Sequence, residues 1–227
     1  MWDIKIILKD FIKTKDFQQF INLRFKDDSK IIISKNIFKY ISTDEAMFYL
    51  DDMIFSVEQV NNDYSLEDLR STDVVLDIGA FSLKVCKKAS RVFAVEPIMT
   101  ERLKQNINLN NVKNITVLDC ALGDREQELE WDGRIKKIRC LSLSEIIKLC
   151  GGHIDFFKCD CEGSEWCIRP EELQGVRRLE MEVHNFNGKH DFKDFLKILS
   201  DAGFLYKHEV FFENKLMLIH AQASVKR

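Results

Sequence analysis

Val74-Val75-Leu76-Asp77-Ile78-Gly79-Ala80 decides the fold. Three apolar residues in succession suit a strand buried on both faces, because a strand with one wet face would alternate. The run closes on an acid and a glycine at the strand's C-terminal end. Open parallel sheets bind ligands at that end, and a glycine there lets main chain approach a ligand closely. The next strand, residues 91–96, ends in Val95-Glu96-Pro97, which puts Glu96 nineteen residues beyond Asp77. A carboxylate about 20 residues past the glycine turn accepts hydrogen bonds from ribose hydroxyls. Each signal is weak alone. On consecutive strands they place a nucleoside cofactor between Asp77-Ile78-Gly79-Ala80 and Glu96.

The pattern extends outward from this pair of strands. Runs at 115–118, 136–141, 154–158 and 179–183 read as further strands, and residues 100–110 and 191–202 read as helices. A short helix follows Ser82. Ser142 with Glu145 three residues on is the signature of a helix N-terminus. Residues 204–212 and 216–221 flank Glu213-Asn214-Lys215 as a closing hairpin. Strands alternating with helices give an α/β fold, a Rossmann-like, mostly parallel sheet covered on both faces, to which the hairpin adds an antiparallel strand.

Residues 1–70 follow a different pattern. Ile4, Ile7, Leu8, Phe11 and Ile12 recur at helical spacing. Lys26-Asp27-Asp28-Ser29 separates strand-like runs at 20–25 and 30–34, a plausible hairpin. This stretch reads as an N-terminal cap of helix and hairpin that serves the substrate, with the cofactor domain over 71–227. Asp3, Asp10 and Asp16 among the lysines argue against a helix lying on an anionic membrane.

Composition excludes several classes. The chain has 227 residues, of which 45% are hydrophobic, so a substantial core forms. A net charge of −3 lacks the basic footprint of a nucleic-acid binder. No apolar run approaches the roughly 20 residues of a membrane span, and the charged Met1-Trp2-Asp3-Ile4-Lys5 start is no signal peptide. Seven cysteines without a Cys-x-x-Cys pair point to reduced thiols in a cytoplasmic protein, not to disulfides or zinc. The oligomeric state is not written in the sequence.

The cofactor class follows from what is missing. A dinucleotide fingerprint needs three spaced glycines, yet no glycine occurs between Gly79 and Gly123. A nucleoside cofactor without a pyrophosphate fits better, and S-adenosylmethionine is one.

At this point a family resemblance emerges. Val75 to Ala80, Val95-Glu96-Pro97, Leu103 to Asn106 with Asn110, and Ala121-Leu122-Gly123-Asp124 resemble class I methyltransferases. Leu141-Ser142-Leu143, Phe157-Lys158-Cys159-Asp160-Cys161-Glu162-Gly163-Ser164-Glu165 and Glu180-Met181-Glu182-Val183-His184 resemble the FkbM family, with its Asp-x-Glu-Gly-x-Glu element. The resemblance covers about residues 73–212. It implies a seven-stranded sheet, S-adenosylmethionine as cofactor, and O-methylation of a small-molecule acceptor such as a sugar or secondary metabolite. It further implies that Asp77, Gly79 and Ala80 border the methionine portion, that Glu96 holds the ribose, and that Asp119, Cys120 and Ala121 border the adenine. Asp160 and Glu162 would flank the sulfonium and the acceptor.

An alcohol must lose a proton to accept a methyl group, so the site needs a base. Asp160, Glu162, Glu182 and His184 are the candidates. Asp160 and Glu162 share strand parity, as do Glu182 and His184. Paired carboxylates make a base or bind a cation; no metal is assigned. Lys158 lies in a buried context and is expected to pair with a carboxylate.

Two other functions compete. Phe81-Ser82 and residues 103–110 also resemble archaeal tRNA guanine methyltransferases, but those carry an Asn-Pro-Pro-type motif where this chain has Asp160-Cys161-Glu162-Gly163. The glycine loop after Ala80 is shorter than the FkbM pattern and lacks its second glycine, which suggests a non-catalytic nucleoside-binding relative as a third reading.

Overall fold

The computed structural model describes residues 30–34, 37–42, 47–49, 64–79, 82–131 and 134–224. The first three segments are strands β1 (Lys30–Ser34), β2 (Ile37–Ser42) and β3 (Met47–Tyr49), which form an antiparallel sheet in that order. The strand at 30–34 forms as expected and pairs antiparallel with β2. The expected N-terminal helix and residues 20–25 lie outside the described residues, as do Ala80 and Phe81.

The body follows as β4 (Val74–Ile78), α1 (Ser82–Val85), β5 (Arg91–Val95), α2 (Thr100–Leu109), β6 (Ile115–Leu118), β7 (Ala121–Leu122), β8 (Gln127–Trp131), β9 (Arg134–Ile138), β10 (Cys140–Leu141), α3 (Leu143–Leu149), β11 (Phe156–Cys159), β12 (Arg178–His184), α4 (Phe192–Asp201), β13 (Phe204–Phe211) and β14 (Leu216–Ala223). Seven of these strands form one sheet in the order β13-β14-β12-β11-β4-β5-β6. β4, β5, β6, β11 and β12 pair in parallel, and β14 runs antiparallel to both of its neighbours. The expected seven-stranded, mostly parallel sheet with a C-terminal hairpin is present.

β4 sits in the middle because its sequence tolerates no water. Val75, Leu76, Asp77 and Ile78 are all buried, and alternate residues feed two cores. Val75 packs with Val92 and Phe156 on one face. Leu76 and Ile78 pack with Phe93, Val95, Phe157 and Cys159 on the other. In-register pairing makes this possible: Val75 lies beside both Val92 and Phe156, and Leu76 beside Phe93 and Phe157. Each large apolar side chain fully buried this way contributes roughly 1.5–3 kcal/mol. Packing also continues upstream of residue 71, where Tyr64, Leu66 and Leu69 join the Val75 face.

The helices start where the sequence marks them. Ser142 Oγ accepts a hydrogen bond from Glu145 N while Glu145 Oε2 accepts one from Ser142 N, a complete capping box for α3. Asp191 caps α4 by accepting from Lys193 N, and Phe195 and Leu199 turn its apolar face to the core. One expected strand, at 136–141, is two elements instead. β9 pairs antiparallel with β8, whereas β10 pairs in parallel with β7, and neither joins the main sheet. Among the described residues no helix is long and apolar enough to cross a membrane.

Candidate active site

The parallel strands deliver their C-terminal ends to one edge of the sheet. Three of those ends, from β4, β11 and β12, carry a connected polar cluster.

At the end of β4 the chain turns through Gly79, whose φ is +84°. A Cβ here would stand 2.2 Å from the main-chain oxygen of Asp160. The position therefore requires glycine twice over, for its backbone conformation and for the close passage of the β11 end. The close approach that the sequence suggested for a ligand is, at this atom, an approach of chain to chain. Asp160 N in turn donates to Ile78 O at 3.0 Å.

Lys158 ties these ends together. Its side chain is buried, and Nζ donates to Gly79 O at 2.6 Å and Ile78 O at 3.3 Å. It lies 3.8 Å from both Asp77 Oδ1 and Asp160 Oδ2, and 5.0 Å from the centre of the Tyr64 ring. Burial alone would lower its pKa, but Asp160 and Asp77 reverse that and hold the ammonium charged. Asp77 Oδ2 also accepts from Ser82 Oγ, anchoring the start of α1.

The acidic motif continues beyond β11 without the strand. β11 stops at Cys159, and Glu162 and Gly163 both take positive φ, 57° and 109°. The parity argument for Asp160 and Glu162 therefore does not apply, because a turn replaces the pleat. The turn still brings both carboxylates to His184 at the end of β12. His184 Nε2 lies 4.0 Å from Asp160 Oδ1, 3.9 Å from Glu162 Oε2 and 3.8 Å from Glu182 Oε2. Its Nδ1 lies 3.2 Å from Glu165 Oε1.

Glu165 is fully buried at the start of a 3₁₀ turn, Ser164–Cys167, and accepts from Cys161 N at 2.8 Å and Gly163 N at 2.9 Å. It shapes the acidic loop and orients the imidazole at once. Burial by itself would lower the pKa of His184, but the hydrogen bond and charge of Glu165 outweigh it and raise the group to about 9. Glu182 is pushed up to about 7, first by burial and then by the charge of Asp160. Burial also raises Glu162.

Tyr64 was not singled out by the sequence. It belongs to the segment before β4, yet its hydroxyl donates to Glu182 Oε1 at 2.7 Å and lies 3.3 Å from Asp160 Oδ2. Burial, then Asp160 and Glu182, raise its pKa well above the ordinary phenol value, so it stays a donor. Next to it, Ser65 N donates to Glu180 Oε2, and Glu180 is also held by Arg178 and His220. Trp166 packs rather than reacts: it stacks on His190 at 4.3 Å, and its Nε1 donates to His184 O at 2.7 Å.

The other end of the sheet edge carries the residues expected to hold the cofactor. Glu96 Oε1 accepts from Ile98 N at 2.8 Å and Met99 N at 2.9 Å, which fixes the half-buried carboxylate at the end of β5. Its Oε2 makes no hydrogen bond among the described residues and keeps acceptor capacity for a ribose hydroxyl. Asp119 Oδ1 is in contact with Thr100 Oγ1 at 3.0 Å, tying β6 to the start of α2. Cys120 is buried in the core, its thiol pushed up to about 11 by burial, so only its main chain can border a ligand. Ala121 begins β7 and pairs with Cys140. Ala80 lies outside the described residues. These residues could hold a nucleoside with a sulfonium tail: Glu96 offers a pre-oriented carboxylate that would suit a ribose, and Asp77 and Asp160 offer negative charge at the neighbouring strand ends that would suit a positive sulfur.

Comparison with known proteins agrees with this geometry. Residues 73–206, more than half of the chain, match the family model described as methyltransferase FkbM domain. No curated protein matches. Among solved structures, an rRNA methylase from Streptococcus thermophilus superposes with a TM-score of 0.50 at 10% identity, covering 69% of this chain and 90% of that one. A Streptococcus mutans protein described as a methyltransferase, solved in complex with SAH, gives 0.50 at 12% identity over 76% of this chain and 99% of that one. Methyltransferase FkbM from Methylobacillus flagellatus gives 0.46 at 18% identity, over 68% of this chain and 45% of that one. At such identities the structural likenesses bear on the fold alone, whereas the family match bears on descent. The chain belongs to the FkbM methyltransferase family, and is an S-adenosylmethionine-dependent methyltransferase.

Proposed function

We propose that the enzyme O-methylates a small-molecule acceptor such as a sugar or other secondary metabolite, with Glu182 as the base. The observation that carries this reading is the acidic cluster at the ends of β11 and β12. Asp160, Glu162, Glu165 and Glu182 surround His184 there. A field of that sign suits a neutral hydroxyl compound and repels the phosphate backbone of RNA.

The roles follow from the positions. When bound, S-adenosylmethionine supplies an electrophilic methyl group on a sulfonium. Glu96 Oε2 would hold its ribose, and Asp77 and Gly79 would border its methionine end, with the main chain of Asp119, Cys120 and Ala121 toward the adenine. On the acceptor side, Glu182 has a carboxylate pKa near neutrality, matched to taking a hydroxyl proton at physiological pH. The Tyr64 hydroxyl orients that carboxylate, and the negative charge of Asp160 helps to raise its pKa. Glu182 would take the hydroxyl proton as the acceptor oxygen receives the methyl group. His184, locked by Glu165, sets its imidazole among these carboxylates.

Residues upstream of the family match contribute to this end of the site through Tyr64, in keeping with an acceptor-binding role for the N-terminal segment. The test is transfer of isotopically labelled methyl from S-adenosylmethionine to a panel of sugars, phenols and aliphatic alcohols, run beside tRNA and rRNA. Label in an ether product supports the proposal; label entering only RNA refutes it.

A further inference from the structure

We propose that Asp160, Glu162 and His184 form a site for a divalent first-row transition cation, Mn²⁺ or Zn²⁺, at the acceptor end. Spacing along the chain assigns no metal. Folding changes this, because the turn after β11 sets one ligand atom from each of these three side chains within 4.8 Å of the other two.

The distances suit a shared ion better than direct bonds. His184 Nε2 stands 4.0 Å from Asp160 Oδ1 and 3.9 Å from Glu162 Oε2, too far for hydrogen bonds. Two donors each about 2.1 Å from one ion lie from about 3.0 Å apart at a right angle to about 4.2 Å when opposite. Both histidine separations fall inside that span.

A second observation concerns the imidazole. His184 is only 7% exposed. Glu165, itself fully buried, takes Nδ1 and so turns Nε2 toward the carboxylates, where it makes no hydrogen bond. A carboxylate behind a histidine, fixing which nitrogen faces the ion, is how metal-binding histidines are held. Charge adds a third argument. Asp77, Asp160, Glu162, Glu165 and Glu182 gather at this corner around Lys158 and His184, and an ion at Nε2 would take the place of the imidazole's second proton. Asp77 and Glu165 are buried and Asp160 and Glu182 largely so, and carboxylates gathered in this way call for a counter-charge.

The imidazole favours Mn²⁺ or Zn²⁺ over Mg²⁺ and Ca²⁺, which take oxygen sets. The site is also open on one side, since the Glu162 side chain is 64% exposed. Three protein donors leave coordination positions for water or an acceptor oxygen. The cation site does not depend on the acceptor being a small molecule.

The test uses the full chain stripped with a chelator and titrated with Mn²⁺, reading the electron paramagnetic resonance signal of the free ion, with Zn²⁺ added as a competitor. The expected result is a high-affinity site that Glu162→Gln weakens by about tenfold or more and His184→Gln abolishes, while Glu209→Gln on exposed β13 leaves it unchanged. Absence of Mn²⁺ and Zn²⁺ binding up to millimolar concentration overturns the proposal, and so does wild-type affinity in Glu162→Gln. Should His184→Gln fail to fold, Glu162→Gln decides, because its carboxylate lies on an exposed turn. Titration of the same stripped protein with S-adenosylmethionine separates the two assignments: cofactor binding without cation binding sinks the metal site alone.

Discussion

Glu165 Oε1 stands 3.2 Å from His184 Nδ1, and both side chains are buried beneath the acidic loop. This pair, together with Glu182, makes the stability of the fold depend on pH. His184 has a folded pKa of about 9 against an ordinary 6.5, and Glu182 about 7 against 4.5. In both cases the folded state binds more protons than the unfolded chain, so stability falls as pH rises. The Glu182 contribution is present below about pH 4.5 and lost through pH 7; that of His184 is present below about pH 6.5 and lost through pH 9. Urea denaturation from pH 5 to pH 10 should show this decline, and Glu165→Gln should flatten its upper half. A midpoint that rises across the range would refute the assignment.

Tyr64→Phe keeps the ring over Lys158 and removes the hydroxyl from Glu182 and Asp160. That hydrogen bond holds the Glu182 pKa down, so its loss moves the basic-form limb of the pH–rate profile upward. A hydrogen bond to a charged group is worth about 1.5–3 kcal/mol, and kcat should drop accordingly with the affinity for S-adenosylmethionine unchanged. An unshifted profile would show that Glu182 is not the base.

Glu96→Gln tests the ribose assignment while keeping an acceptor oxygen for Ile98 N and Met99 N. Loss of the charged acceptor should weaken cofactor binding by about tenfold or more, by the same magnitude of about 1.5–3 kcal/mol. Isothermal titration with S-adenosylhomocysteine measures it, and wild-type affinity would move the ribose elsewhere.

Gly79→Ala must force apart β4 and the end of β11, because the new methyl meets the Asp160 carbonyl at 2.2 Å and the backbone holds φ at +84°. A destabilisation of about 3 kcal/mol or more is expected from strain and displacement together. Thermal unfolding checks it; a Tm within a degree of wild type would mean that the loop relaxes freely.

The fold was legible where burial is complete on both faces. Val75, Leu76 and Ile78 had to be central because no solvent-facing residue interrupts them, and Ser142 with Glu145 announced the start of α3 through chemistry local to four residues. The hairpin of β8 and β9 was missed although its signal is present: Glu128 to Trp131 alternates polar and apolar residues, and Asp132-Gly133 is a dipeptide favoured in two-residue turns. The candidate site was legible as a set of residue types, not as a shape. Parity along a strand grouped Asp160 with Glu162, but a left-handed turn achieves the grouping. Tyr64 carried no local signal, since it meets its partners across 96 and 118 residues of chain.

Lys158 has a consequence for how the two halves of the site behave. One buried ammonium holds the carbonyls at the end of β4, on the side proposed for the cofactor, and a carboxylate of the loop after β11, on the side proposed for the acceptor. It acts as a rivet through both, so neither half can tilt without dragging the other. A substitution that loosens this rivet should therefore degrade the grip on methyl donor and acceptor in step, rather than trading one against the other.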